Sequence, residues 1–179
     1  MLTKFPFSEL INKKTASTSA AEHLFKVDPN ATKLDSERAD VFHKFVAKNL
    51  FLSQRSRLDI MLTVAFLCTR VKSPNEDDWK KLLCLSICLK CTKHFYLTLK
   101  ADNLRVVQWW ADAAFAVCPD MKSHTRATMT MGKGAVLAIS HKQKINTKSS
   151  TESELVAADD TVPHLLQTKH FLKAQGYPS

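Results

Sequence analysis

The sequence predicts an α+β fold, in which an N-terminal helical module precedes three antiparallel strands and a long helix. Three observations lead to this prediction. Apolar residues recur at helical spacing from residue 35 to about 99. From residue 104 the pattern changes to segments rich in β-branched and aromatic residues, two of which flank a glycine-rich turn at 132–134. Helical spacing returns at Ser150 and ends near Gly176, a residue that favours helix termination.

Composition restricts the class of protein. The chain has 179 residues, an apolar content of 45% and a net charge of +9. The sequence contains no apolar run of the roughly 18 residues needed to span a bilayer, so we expect no membrane partner. Five cysteines and no secretory signal indicate reduced thiols and an intracellular protein, in the cytoplasm or the nucleus. The positive charge favours a polyanionic partner, because lysine and arginine release counterions from phosphates.

Residues 1–34 show little periodicity and include a small, polar stretch at 13–20, so we expect a largely disordered linker there. The helical module is expected over 35–100. Its first helix is capped by Asp35 or Ser36 and continues towards Ser53, and its second covers 57–71. The third opens at Ser73 and Pro74, and three acidic residues that follow suit its first turn.

The last part, 104–179, is predicted to form the strands and the long helix. The strands are expected at 104–117, 125–131 and 135–141. The helix is expected from Ser150 to about Gln175, and Pro163 inside it should produce a kink. Two tryptophans, Trp109 and Trp110, could stack on bases, but they are expected to face opposite sides of the sheet and to pack into the core.

Two acids stand out as candidates for chemistry. Asp112 lies within an apolar strand, where aspartate is unfavourable, and small alanines leave room beside it. At 100° per residue, Glu154 begins the helix face predicted to pack on the sheet, whereas Glu152, Asp159 and Asp160 should face water. Glu154 could also be only a capping acid. Opposed carboxylates on a strand and a helix would suit a hard cation such as Mg²⁺.

Several segments together resemble the ribonuclease H region of copia-type retrotransposon polyproteins. These are residues 110–116 (WADAAFA), 122–125 (KSHT), 129–135 (MTMGKGA), 140–144 (SHKQK) and 149–155 (SSTESEL). Upstream, residues 51–60 (FLSQRSRLDI) resemble the segment that follows the reverse transcriptase palm. The similarity extends over roughly residues 20 to 178.

The resemblance implies hydrolysis of the RNA strand in an RNA–DNA hybrid by four carboxylates and two Mg²⁺ ions. Asp112 and Glu154 match two of these catalytic, metal-binding acids, and the other two would lie beyond Ser179. The polymerase palm is also missing upstream. We therefore expect a truncated ribonuclease H-like domain that is inactive alone and belongs with the rest of a retroelement polyprotein. The alternative is a basic nucleic-acid-binding relic or host protein without catalysis.

Three lysines before the last helix and three cysteines on the third predicted helix are further candidates for function. Lys142, Lys144 and Lys148 precede the last helix and are predicted to contact phosphates of the nucleic acid, although they could simply be a solvated loop. Cys84, Cys88 and Cys91 have the spacing of an iron–sulfur motif, but they fall on one predicted apolar helix. Because one straight helix cannot surround a metal, we interpret them as small apolar side chains.

Overall fold

The computed structural model describes residues 15–20 and 23–177. The chain divides into two compact units, Met1–Tyr96 and Leu97–Ser179. Helices make up the first unit, while antiparallel strands followed by a long helix make up the second, which confirms the predicted α+β class. None of the helices in the described ranges is long and apolar enough to cross a membrane.

Three α-helices lie in the described part of the first unit. They are α1 (Ser36–Arg55), α2 (Met61–Arg70), which is preceded by a short 3-10 turn at Leu58–Ile60, and α3 (Glu76–Cys91). The Asp35 side chain caps α1 by accepting a hydrogen bond from the Arg38 N–H at 2.8 Å. Phe42, Leu67 and Leu85 are among the side chains that form its apolar core. The apolar spacing of the sequence therefore locates these helices correctly.

The start of α3 is fixed by a buried carboxylate. Asn75 and Asp78 form a reciprocal capping box, in which each side chain accepts a hydrogen bond from the other residue's backbone N–H. Asp78 also accepts from Arg70 Nε at 3.0 Å, and this ion pair joins α3 to the end of α2. Both the orphan amides of the helix end and the buried charge are satisfied in this way.

Residues 23–34 differ from the predicted linker. Leu24 is buried in the helical core, and the ring of Phe25 packs edge-to-face on Phe66 with centroids 5.7 Å apart. The buried Lys81 ammonium donates to the Lys26 carbonyl. The backbones of Lys33 and Asn75 form an isolated antiparallel β-bridge. Periodicity could not reveal this packing because the segment is irregular. Of the other predicted linker residues, 1–14 and 21–22 lie outside the described residues, whereas Ala16 and Ala20 pack against the same core.

Residues 97–177 of the second unit form five strands, namely β1 (Lys100–Ala101), β2 (Gln108–Ala114), β3 (His124–Thr130), β4 (Gly132–Lys133) and β5 (Ala135–Lys142). Three of them form an antiparallel sheet in the order β2-β3-β5, and β1 pairs with β4. The predicted turn at 132–134 is thus partly a short strand, and Gly134, with φ of 80°, completes the reversal. Within the described sheet β2 has a neighbour on one side only.

The long helix α4 (Ser150–Ala174) begins at Ser149, whose side chain accepts the Glu152 N–H. It continues through Pro163 and packs on one sheet face, where the Trp109 ring stacks on His164 with centroids 6.4 Å apart. The opposite face leaves Trp110 63% exposed. The two tryptophans therefore face opposite sides as predicted, but the prediction that Trp110 packs into the core was wrong.

Candidate functional site

Asp112 lies in the middle of β2 and is exposed. Its partner across the β2–β3 ladder is Arg126, which is also exposed, and Ser140 of β5 follows in the same row. Since β2 is an edge strand of the described sheet, the Asp112 backbone lies beside an unpaired edge. The Asp112 side chain therefore has Arg126 as its cross-strand neighbour and is otherwise open to solvent.

The sheet register shows which face Asp112 occupies. The next residue, Ala113, pairs with Thr125, and Thr125 Oγ1 donates a hydrogen bond to Asp160 of α4 at 3.0 Å. Because side chains alternate along a strand, Asp112 faces away from α4. Glu154 lies in the first turns of α4 and is exposed. The two predicted metal ligands thus start from different sides of the sheet, and their convergence on one cation stays a prediction.

The acidic side chains near Asp112 and Glu154 do not form a Mg²⁺ site by themselves. Within residues 15–20 and 23–177, no group of three or more histidine, cysteine, aspartate or glutamate side chains could hold a metal ion. Mg²⁺ needs oxygen ligands in near-octahedral geometry and is usually held by carboxylates together with water and substrate phosphates. Two acids that start from different faces do not fit a two-metal centre by themselves. No catalytic step is therefore assigned to these residues alone.

No protein-family model matches the chain, and no similar curated protein or solved structure was found.

The structure corrects the prediction for Asp160, which was expected to face water. Its Oδ2 atom accepts hydrogen bonds from Thr125 Oγ1 and from His141 Nε2, both at 3.0 Å. Gln143 Nε2 extends this network by donating to Thr125 Oγ1 and to the Ser153 carbonyl. Together these contacts attach the N-terminal half of α4 to β3 and β5.

The reason is a rotation of α4 relative to the predicted packing face. Ser153, Ala157 and Thr161 are the buried positions in its first half, whereas the apolar Leu155 and Val162, which lie close to the predicted face that begins at Glu154, are exposed. Apolar residues alone suggested the wrong stripe. The signal that could have corrected it is the polar pair Thr125 and His141, which occupies helix-facing positions on the strands and needs a partner.

The predicted nucleic-acid-binding lysines lie near the start of α4, and Lys142, Lys144 and Lys148 are all exposed. Lys142 pairs with Asp120 at 2.9 Å, and this contact lowers the pKa of the Asp120 carboxyl. Lys122 Nζ donates to the Lys144 carbonyl at 2.8 Å and adds a fourth cation to the loop. The geometry leaves these charges accessible to a polyanion.

A cysteine on α3 and a histidine on β3 have side-chain pKa values that burial shifts. Of the three cysteines interpreted as small apolar side chains, Cys88 is buried, Cys84 is half-buried and Cys91 is exposed, so the interpretation fails for Cys91. Burial raises the pKa of the Cys88 thiol, as expected for an apolar side chain rather than a reactive thiolate. His124, at the start of β3, is buried with Nε2 2.8 Å from Ser140 Oγ. Burial, assisted by the charges of His141 and Arg126, lowers the pKa of His124 to about 4.

Proposed function

We propose that this chain is part of a copia-type retroelement polyprotein and that its second unit is a ribonuclease H-like piece. It binds RNA–DNA hybrids but does not cut them by itself. The observation that carries the proposal is the order of elements, namely an antiparallel β2-β3-β5 sheet with Asp112 inside β2, followed by a long helix with Glu154 in its first turns.

Binding is supported by charge. The chain has a net charge of +9, and the loop before α4 presents exposed lysines that a phosphate backbone can approach. Each phosphate neutralised by such a cation should contribute about 0.9 to the slope of log affinity against log salt concentration for a duplex. A contact with several phosphates therefore predicts strongly salt-dependent binding.

The lack of cutting follows from the ligands. Two-metal hydrolysis needs ions held about 4 Å apart by a set of carboxylates, so that attacking and leaving oxygens are both stabilised. Asp112 and Glu154 supply at most two of these groups, and the described residues contain no larger cluster. The free edge of β2 offers a place where a strand from elsewhere in a polyprotein could pair next to Asp112.

The test compares the chain alone with a fusion that adds the C-terminal part of a copia-type ribonuclease H. With labelled RNA–DNA hybrid and Mg²⁺, we expect salt-dependent binding in both and cleavage in the fusion only. Asp112→Asn or Glu154→Gln should abolish cleavage by the fusion, whereas the exposed neighbour Asp159→Asn should not. An inactive fusion that binds hybrid would contradict the ribonuclease H assignment, and metal-dependent cutting by the chain alone would contradict the incomplete site.

A further inference from the structure

The loop that joins β2 to β3 ends in a tight turn that fixes the positions of two charged residues. The Met121 N–H donates to the Cys118 carbonyl at 2.9 Å, and the Cys118 N–H donates to the Lys122 carbonyl at 3.0 Å. Met121 has φ of 59°, a left-handed conformation that a residue other than glycine keeps only where its surroundings hold it. The backbone on either side of Met121, at Asp120 and Lys122, is therefore held in place by the turn.

Side chains connect this turn to the end of β5 and to the loop before α4. Lys142 Nζ donates to Asp120 Oδ2 at 2.9 Å, and Asn146 Nδ2 donates to the Asp120 carbonyl at 3.2 Å. Lys122 Nζ donates to the Lys144 carbonyl at 2.8 Å. The hydrogen bond from Lys142 lowers the pKa of the Asp120 carboxyl, and the charge of Lys122 acts in the same direction. One carboxylate thus interacts with two ammonium groups in this region.

The Asp120 carboxylate occupies Lys142 as a phosphate group would. Carboxylate and phosphate oxygens both accept charge-assisted hydrogen bonds from a lysine ammonium. The side chains of Lys142 and Asp120 are 37% and 45% exposed, so solutes can reach the ion pair. Because ion pairs this exposed contribute little to stability, the fold loses little when another anion replaces Asp120 at Lys142.

We infer that Lys142, with Lys122 beside it, contacts a phosphate of the nucleic acid, and that Asp120 competes with this phosphate for the Lys142 ammonium. The inference rests on the proposed function for its partner and assigns a regulating residue to the predicted phosphate contacts. Asp120 already neutralises Lys142. Binding at Lys142 therefore releases fewer counterions from the nucleic acid than binding at an unneutralised lysine would, and Asp120 weakens the affinity.

Fluorescence anisotropy of the full chain with a labelled RNA–DNA hybrid, over a range of salt concentrations, tests the competition. Asp120→Asn leaves Lys142 to the phosphate, so binding should be tighter and the slope of log affinity against log salt concentration steeper by about 0.9. The gain in affinity should then shrink about 3.5-fold between about 50 and 200 mM salt. Asp159→Asn makes the same change of charge at another exposed acid and should leave the slope nearly unchanged.

Lys142→Gln, made with and without Asp120→Asn, tests whether the two residues act on each other. It should reduce the slope by about 0.9 when Asp120 has been replaced and by much less in the wild type. Lys148→Gln is the matched lysine variant, and it should reduce the slope by similar amounts in both backgrounds. Unchanged far-UV circular dichroism and thermal midpoints would show that each variant retains the fold.

The outcomes separate this inference from the proposed function. If neither the wild type nor Asp120→Asn binds the hybrid, both are overturned. If the wild type binds, the competition alone is overturned when Asp120→Asn binds no more tightly than Asp159→Asn. The competition is likewise overturned when Lys142→Gln costs the same with and without Asp120.

Calorimetry with inorganic phosphate at constant ionic strength distinguishes the two sources of a phosphate group. Displacement of phosphate from Asp120→Asn by the hybrid would support the nucleic-acid contact. Phosphate that binds this variant and is not displaced by the hybrid would assign Lys142 to a small phosphate compound and overturn the nucleic-acid contact.

Discussion

Replacing Asp160 with alanine should destabilise the second unit, although the sequence pattern placed this residue in water. The change removes the acceptor for Thr125 Oγ1 and His141 Nε2. Thr125 is fully buried, and its hydroxyl already accepts from Gln143, so its own proton would lose its acceptor. The loss of stability should therefore come mainly from the unsatisfied Thr125 hydroxyl rather than from the lost contact with His141.

The fall in the free energy of unfolding depends on how deeply the affected groups are buried. A buried donor left unsatisfied costs about 1–3 kcal/mol. The His141 and Asp160 side chains are 42% and 31% exposed, so their ion pair should contribute only about 0–1 kcal/mol. We expect the free energy of unfolding to fall by about 2 kcal/mol. For a unit of this size, each kcal/mol corresponds to about 4–8 °C, which gives a decrease in melting temperature of about 8–16 °C.

Thermal and urea unfolding, followed by circular dichroism, measure this change. Asp159→Ala is the matched control, because it removes an exposed acid from the neighbouring position and should cost no more than about 0.5 kcal/mol. A double-mutant cycle with Thr125→Val should show a coupling of about 1–2 kcal/mol. Equal midpoints for Asp160→Ala and Asp159→Ala would refute the reasoning, as would additive effects in the cycle.

Two other predictions concern the same unit. Because burial lowers the pKa of His124 from 6.5 to about 4, its neutral form should contribute about 3 kcal/mol above pH 6.5, and this contribution is lost as the pH falls towards 4. Urea midpoints measured between pH 4 and 7 should lose that pH dependence in His124→Asn and keep it in His43→Asn, which alters an exposed histidine; equal pH profiles would contradict the assignment. Gly134→Ala should cost more than about 2 kcal/mol, because φ is +80° and a Cβ would lie 2.2 Å from the Thr98 carbonyl oxygen, whereas Gly176→Ala at φ of +83° meets open space and should cost about 1 kcal/mol. Similar urea midpoints for the two glycine variants would show that the turn tolerates a side chain.

Regular elements were predictable from the sequence because their signals are local. Helical spacing, the Asp35 cap and the acids at the start of α3 placed the three helices, and the change of period at residue 104 separated the strands from them. The packing of residues 23–34 was not predictable, since Leu24 and Phe25 enter the core through tertiary contacts that leave no periodic pattern. Strand β2 is shorter than predicted, because it begins at Gln108 and leaves Leu104 and Val106 outside the ladder.

The candidate site was only partly accessible to sequence reasoning. The sequence identified Asp112 as an unusual strand residue, and the structure places it inside β2. Glu154 was predicted to begin the packed face of α4, but it is exposed, and the buried positions in that half of the helix are Ser153, Ala157 and Thr161. Which side of the sheet each acid faces depends on register and on the rotation of α4. The rotation is determined by the Asp160 contacts with Thr125 and His141, a long-range polar network that an apolar helical wheel cannot detect.

The position of Asp112 on an unpaired strand has a consequence for solution behaviour. A free strand edge can recruit another strand, and a charged side chain on that edge opposes such lateral association. We therefore expect the charge of Asp112 to oppose pairing of this edge with a second copy of the chain, in which Asp112 would add another carboxylate. Neutralising it to asparagine changes self-association as well as any ligand chemistry, so nuclease comparisons of this variant are best made on fractions of equal monomer content.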